Sequence, residues 1–429
     1  MDKAPYLIIG NSVAAMGAIA GIRSIDANQP ITLIAKESEH TYSRPLISYL
    51  LAGKVDEKRM HYRPKDFYER NNVRAMLGVE VKRVRVEARM VEMSDGRTIT
   101  FDQLLIATGG RPIMPADVTG KEARGVFTFT TWLDAREIGD FIGANGVKEA
   151  VVVGGGLIGL KAMEALHALG VKTTIVELAD RILSATFDKK ASDMSRAHLE
   201  KAGISVRCGT TVASIQQQDG KVSGVTLHDG TKIPCGLVIF AIGVVPDAGI
   251  VAGSSIKVDR GILVNERLQS SATGIYAAGD VSQGADLLTG TTRPIPIFPN
   301  ACRQGFVAGC NMAGGDRLYK GGMAMNSADA LGLPTISVGI TSPEGEGYEA
   351  LSAFDPEKPS YKKIVLKNDR IVGAIFIGQI DRAGIITGLI KEAVNVSSFK
   401  DLLLTEAFGL ISLPQEYRKH VVKGTGIEV

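Results

Sequence analysis

The sequence predicts an α/β protein with two Rossmann-like dinucleotide-binding domains, each carrying a β-meander layer, and a C-terminal α+β domain. Three observations lead there. A strand, glycine turn and helix occur twice, as YLIIGNSVAAMGAIAGIR at residues 6 to 23 and AVVVGGGLIGLKAMEALHALG at 150 to 170. Each copy is followed by another strand, ITLIAKE from Ile31 and KTTIVEL from Lys172, which makes two βαβ units. After about residue 320 no such turn recurs, and strand-like ISVGI, KKIVLKN and IVGAIFIG precede helix-like RAGIITGLIKEAV and SSFKDLLLTEA.

A chain of 429 residues exceeds one ordinary core and implies two or three domains. With 45% hydrophobic and 22% charged residues it reads as soluble and globular. The 49 basic and 46 acidic side chains leave a formal charge of +3 and no block of one sign, so nucleic-acid binding has no electrostatic footprint. The first strand begins at Tyr6 with no basic region or cleavage site before it, and the longest apolar run, around LVIFAIGVV, falls far short of the roughly 18 residues of a membrane span. The expectation is a cytoplasmic protein. Cys208, Cys235, Cys302 and Cys310 form no CxxC pair, and the six histidines show no ligand spacing, so no metal site is expected. Cys302 and Cys310 share one predicted helix, roughly 12 Å apart along its axis, beyond disulfide reach.

Taken in order, the first βαβ unit is followed by VRAMLGVEVKRV, RMVEMSDG and TITFDQLLIA, a small antiparallel layer between residues 73 and 107. The second is followed by the same texture, ISVRCGTTVASI then KVSGVTLHDGTKIPCGLVIFAIG. The boundaries expected are a first dinucleotide domain over 1–113 and 245–319, a second inserted at 114–244, and the third domain at 320–429.

The second glycine turn is intact. Gly154, Gly156 and Gly159 complete GxGxxG between a strand and a helix opened by Leu157 and Ile158. The first glycine permits the turn, the second lets a pyrophosphate approach the backbone, and the third allows close helix–strand packing. Glu177 ends the next strand, where a carboxylate accepts adenosine ribose hydroxyls and repels a 2′-phosphate, favouring NADH over NADPH. Gly243, ending IFAIG, joins these candidate NAD residues. In the first copy Gly10, Ser12 and Ala15 hold the three positions, small enough to admit a pyrophosphate or to form a plain packing turn. The ribose carboxylate there is Glu37, or a neighbour one position away. Two later strand ends, LLIATGGRP at 104–112 and TGIYAAGD at 273–280, supply Thr108, Gly109 and Asp280 at carboxyl edges.

Together these segments resemble the pyridine nucleotide–disulfide oxidoreductase family of FAD- and NAD-binding flavoproteins, in order and over essentially the whole chain. The resemblance implies FAD on the first unit and NAD(P)H on the second. It assigns Asp280 to the flavin ribityl and phosphate portion, Val81 to a backbone contact with the FAD adenine, and Thr108 and Gly109 to the cofactor-contacting crossover. YSRP, with Arg44 and Pro45 beside the flavin, is similar to the branch of nitrite reductase large subunits, NADH oxidases and ferredoxin and rubredoxin reductases. The tail is similar to that of FAD subunits in multisubunit NAD-linked enzymes such as phenylglyoxylate dehydrogenase and tungsten aldehyde oxidoreductase. A helix opening near Pro299 and Asn300 would aim its amino end at the flavin pyrimidine, where a positive helix end stabilises the reduced ring's anion. Two positions depart from the family pattern: Tyr49 stands where a lysine is common and Lys161 where a glutamate is common. Both are expected to tune the flavin environment, and no residue is expected to act as an acid or base, because hydride passes directly between nicotinamide and flavin.

Residues 41–55, TYSRPLISYLLAGKV, contain no cysteine where many relatives carry a redox-active one. Disulfide reduction is thereby excluded and sulfenate-based water formation disfavoured. A flavin without an internal acceptor needs an external one, and the expectation is an iron–sulfur protein or subunit docked on the third domain. The alternatives are a peroxide-forming NADH oxidase and a non-enzymatic flavin-binding protein; for the third domain, the alternative is homodimerisation.

Overall fold

In the computed structural model, which describes residues 2–414, the duplication is visible as two parallel sheets with one strand order. In the first, Val73–Leu77, Ile31–Ala35, Asp2–Ile9 and Thr98–Ile106 lie side by side, and Ile275–Ala277 adds to the carboxyl half of Thr98–Ile106. In the second, Ser205–Cys208, Lys172–Glu177, Glu149–Val153, Leu237–Phe240 and Val126–Thr128 follow the same order. The outer strand of the first sheet comes from after the inserted module, and that of the second from before its own βαβ unit. Strands such as Ile31–Ala35 and Leu237–Phe240 are buried at every position, as parallel strands covered on both faces must be. The expected meanders are present: Val81–Arg85 pairs antiparallel with Met90–Met93, which pairs antiparallel with the start of Thr98–Ile106, and Val212–Gln218, Lys221–Leu227 and Lys232–Pro234 form a separate sheet.

Helix α1 (Val13–Arg23) is apolar almost all round because it is covered on two sides. One side lies in the apolar core with the first sheet's Ile8, Ile31 and Leu33. The other meets a C-terminal helix, Phe298–Met312, through interlocked glycines. A Cβ at Gly17 would lie 2.2 Å from Cys302 O and one at Gly21 2.2 Å from Phe306 O; from the facing helix, Gly305 would reach within 1.9 Å of Ala14 O and Gly309 within 2.1 Å of Ala18 O. Contacts that advance by four residues in the same direction on both helices mean that the two run parallel. Their amino ends therefore lie at the same edge of the sheet. Two further helices complete the set used below. Counting along the chain, α2 is Ile47–Leu51, α3 is Leu157–Ala168 and α4 is Phe298–Met312.

The described residues fall into two compact units, one within Met1–Ala179 and Ile204–Met323, the other within Asp180–Gly203 and Ala324–Val429. The second unit contains an antiparallel sheet ordered Met325–Ala330, Leu333–Gly339, Arg370–Ile377, Ser360–Lys367, Tyr348–Asp355, with the helix Ala383–Lys391 packed on Arg370–Ile377. Segment Asp180–Gly203 contributes the helix Lys189–Lys201, whose cap Asp188 accepts from Ala191 N–H at 3.0 Å and Tyr361 Oη at 2.8 Å and pairs with Lys363 at 3.0 Å. No helix among the described residues is long and apolar enough to cross a membrane.

Candidate dinucleotide sites

The first turn begins at Gly10, whose φ is +115° and whose Cβ, if present, would lie 2.1 Å from Ala107 O. Only glycine fits. Ser12 caps α1 without a side-chain hydrogen bond, and Ala15 is fully buried beneath the turn. Between Gly10 and Ser12, Asn11 is fixed on both sides: its Nδ2 donates to Glu39 O at 3.1 Å, and its Oδ1 accepts from Tyr68 Oη at 2.6 Å. Asn11 is thereby fixed at the amino end of α1, where unpaired backbone N–H groups favour an anion.

Glu37 is engaged within the protein. Its two oxygens accept from Tyr42 Oη at 2.5 Å and Arg44 Nη2 at 2.6 Å. Arg44 also donates to Thr130 O at 2.8 Å, and Thr130 N–H is held in turn at 2.6 Å by Asp134, the capping-box residue of the helix Trp132–Asn145. Burial pushes the Tyr42 phenol well above its usual range. Burial also raises the Asp280 carboxyl, with the Arg44 charge opposing it. Arg44 thus pairs with Glu37 and is near enough for its charge to act on Asp280, while the neighbouring Pro45 is exposed. Val81 opens its strand beside the same corner, where Gly78 N–H donates to Glu37 O at 3.1 Å and Val79 N–H to Ala35 O at 2.8 Å.

Asp280 follows Gly279, whose N–H donates to Gln304 Oε1 at 2.8 Å; the same oxygen lies 3.2 Å from Ser282 Oγ. Gln304 is buried on α4, so it ties the GD turn to the helix that packs on α1. Pro299 occupies the first turn of α4, where its missing N–H costs nothing. Asn300 is buried with its side chain committed to Tyr319 Oη at 2.7 Å and Ile295 O at 3.2 Å, leaving backbone alone to face a ligand. At the crossover, Thr108 Oγ1 donates to Asp247 O at 2.7 Å and Asp247 N–H to Gly109 O at 2.9 Å. The strands Gly110–Pro112 and Val244–Pro246 pair antiparallel, and Ile113 N–H reaches Gly243 O at 3.0 Å, so both crossings are joined.

In the second turn Gly154 repeats the geometry of Gly10, with φ +111° and a Cβ position 2.4 Å from Ala241 O. Gly159 would place a Cβ 1.9 Å from Gly154 O, whereas nothing lies within 4 Å of the Cβ position of Gly156. The open space at Gly156, at the head of α3 beside Leu157 and Ile158, is where a pyrophosphate can reach backbone N–H groups. Glu177 accepts from Gly155 N–H at 2.5 Å and Ala179 N–H at 2.7 Å, which holds its carboxylate against the turn with lone pairs left for ribose hydroxyls.

The two departures noted in the sequence meet. Lys161 Nζ, on α3, lies 5.6 Å from the ring centre of Tyr49, on α2. Lys54 Nζ lies 5.8 Å from the same ring, and Glu164 binds both ammonium groups, at 2.7 Å to Lys161 and 3.6 Å to Lys54. Lys54 and Glu164 carried no sequence signal of their own, and neither did Asn11, Tyr68 or Gln304. All four cysteines are free, and among the described residues no group of three His, Cys, Asp or Glu could hold a metal ion.

Residues 4–305 match the family described as pyridine nucleotide-disulphide oxidoreductase, and residues 325–394 match the rubredoxin NAD+ reductase C-terminal domain. The chain is 32% identical over 407 residues to the epsilon subunit of NADH-dependent phenylglyoxylate dehydrogenase from Aromatoleum evansii, covering 93% of this chain and 95% of that one. It is 33% identical over 316 residues to an NADH oxidase from Methanocaldococcus jannaschii, covering 72% of this chain and 70% of the other. Among solved structures, the covalent putidaredoxin reductase–putidaredoxin complex matches with a TM-score of 0.86 and 25% identity, covering 99% of both chains.

Proposed function

Since the chain belongs to the pyridine nucleotide-disulphide oxidoreductase family, we propose that it is the NAD(H)-linked flavoprotein of a redox complex, exchanging single electrons with an iron–sulfur partner. It is an FAD-dependent NAD(H) oxidoreductase without a redox-active disulfide. FAD supplies the conversion between a two-electron hydride and one-electron carriers. The remaining tasks belong to the chain: holding two nucleotides, excluding solvent between them and presenting a partner surface.

The observation that carries this reading is the pair of finished nucleotide turns combined with a cysteine-free segment 41–55. Gly10, Ser12 and Ala15 hold the FAD pyrophosphate at α1. Arg44, fixed by Glu37 and Thr130, neutralises phosphate charge while Asp280 accepts from ribityl hydroxyls. Val81, Thr108, Gly109, Pro299 and Asn300 contribute backbone contacts, and Pro45 flanks the flavin. Glu37 reaches the FAD ribose only together with its Tyr42 and Arg44 partners. Gly154, Gly156, Leu157, Ile158 and Gly159 hold NAD(H), Glu177 its ribose, and Gly243 the crossover beside it. FAD thus belongs to 1–113 and 245–319, NAD(H) to 114–244, and partner docking to 320–429. The setting is cytoplasmic, where the NADH pool lies.

A second reading, a peroxide-forming NADH oxidase in which the third domain serves homodimerisation, is favoured by the likeness to the archaeal NADH oxidase. Anaerobic purification with identification of bound subunits and metals tests the choice. An iron–sulfur subunit at fixed stoichiometry is the expected result; a flavin-only homodimer that consumes oxygen rapidly with NADH would overturn it.

A further inference from the structure

A buried network joins the GD turn to α4. Gly279, just before Asp280, has a φ of +79°, and its Cβ position lies 3.2 Å from Ala14 Cβ on α1 and 3.6 Å from Ala301 Cβ on α4. The turn is thus wedged between the first turns of both helices. The sheet lets go of the chain just before this point: its last backbone link is Ala278 N–H to Ile106 O at 3.1 Å. Beyond it, side chains take over. Gly279 N–H donates to Gln304 Oε1 at 2.8 Å, and Gly279 O accepts from Ser282 Oγ at 2.8 Å and Ser282 N–H at 2.9 Å. A backbone N–H can only donate, so the Gln304 amide is fixed with its oxygen toward Gly279. Gln304 also hydrogen-bonds the Tyr319 side chain, whose Oη donates to Asn300 Oδ1 at 2.7 Å one turn nearer the start of α4. Gln304, Ser282, Asn300 and Tyr319 are all buried. A Cβ at Gly322 would lie 2.5 Å from Tyr319 Oη and 2.6 Å from Asn300 Oδ1, so bare backbone closes the network on that side.

The consequence falls on Asp280. Its side chain leaves the main chain directly after the Gly279 peptide, and that peptide is held from α4, which is itself locked to α1 by the interlocked glycines. We propose that Gln304 is a positioning residue for the flavin: it transfers the rigidity of the α1–α4 pair to the Gly279 peptide and so fixes where Asp280 presents its carboxyl to the ribityl chain. A buried N–H left without a partner is costly, so in the absence of the Gln304 amide the turn rotates toward another acceptor and carries Asp280 with it. Gln304 acts through Asp280 rather than on the cofactor. This inference rests on the assignment of FAD to the first module.

Release of FAD from the full-length holoprotein, followed by flavin fluorescence on dilution, tests it in a double-mutant cycle. Gln304→Leu, similar in volume but unable to hydrogen-bond, is expected to weaken FAD binding roughly tenfold. With Asp280→Ala already in place, the same substitution should change FAD affinity by less than about twofold. Ser282→Ala should act in the same direction and less, and takes the place of Gln304→Leu in the cycle if that variant does not fold. Gln304→Glu is isosteric and, kept neutral by burial near about pH 6, can still accept from Gly279 and donate to Tyr319; it should hold FAD within about threefold of wild type. General damage to the fold weakens FAD equally with and without Asp280, and that additive result overturns the proposal, as does wild-type retention of FAD in Gln304→Leu. A wild-type chain that neither carries nor binds FAD would instead remove the functional reading.

Discussion

In both glycine turns the first glycine has a positive φ near +110° and sits against a strand-end carbonyl, Ala107 O in one and Ala241 O in the other. Beyond that residue they diverge. Gly159 has no room for a side chain, whereas its counterpart Ala15 is accommodated and fully buried. The helix after the first turn is locked to α4 by four glycines, while the second turn keeps open space at Gly156 and carries the partly exposed Lys161 and Glu164 on its helix. Loss of two glycines from the first fingerprint is therefore offset by contacts elsewhere in the chain. This difference fits the proposed roles, a resident FAD on the first module and an exchanging NAD(H) on the second.

The contrast breaks most visibly at the helix interlock. Gly305→Leu drives a side chain into the backbone of α1 at Ala14 and should cost at least about 3 kcal/mol, with loss of most bound flavin, read by thermal unfolding and the flavin-to-protein ratio. Gly156→Ala, facing open space, should change stability by under about 1 kcal/mol and retain flavin, yet weaken NADH binding by taking the place of the pyrophosphate. Equal losses of flavin in the two variants would remove the distinction between the modules.

Glu177→Ala should raise KM for NADH roughly tenfold, since it frees the Gly155 and Ala179 N–H groups as well as the ribose hydroxyls. The preference for NADH over NADPH should narrow in steady-state kinetics. The smallest effect concerns Asp280. Burial raises its folded-state pKa above the unfolded value, so the flavin-free protein gains stability as pH falls through the folded-state pKa toward the unfolded one, and loses it as pH rises back through the folded-state pKa. Asp280→Asn should consequently melt higher than wild type without flavin near neutral pH, with the gap closing in acid, while flavin retention weakens.

Much of the architecture was legible because its signals are local. Apolar strands ending in glycine turns, such as AVVVGGG, announce a βαβ unit wherever they occur. The outermost strand of the first sheet was legible as the strand of TGIYAAGD, Ile275–Ala277, whereas that of the second was not, since Val126–Thr128 is joined to its sheet only by pairing with the distant Leu237–Phe240. The same distance hid Gln304, whose partners Gly279 and Ser282 lie on another segment, and Asn11, whose partner Tyr68 lies far along the chain. A signal for the interlock did exist: Gly17 and Gly21 on one helix, Gly305 and Gly309 on the other, each pair four apart. Tyr49 and Lys161 were each visible as departures, but only packing of α2 on α3 shows that they touch.

Anaerobic double mixing asks whether NADH reduces the flavin and an iron–sulfur carrier empties it. The holoprotein is first titrated with NADH, then mixed with an oxidised ferredoxin or with air-saturated buffer while flavin absorbance is followed. Full bleaching with one NADH per FAD is expected, followed by reoxidation by the iron–sulfur protein, in two one-electron steps, faster than by oxygen. Rapid reoxidation by oxygen with release of peroxide, and none by the iron–sulfur protein, would contradict it.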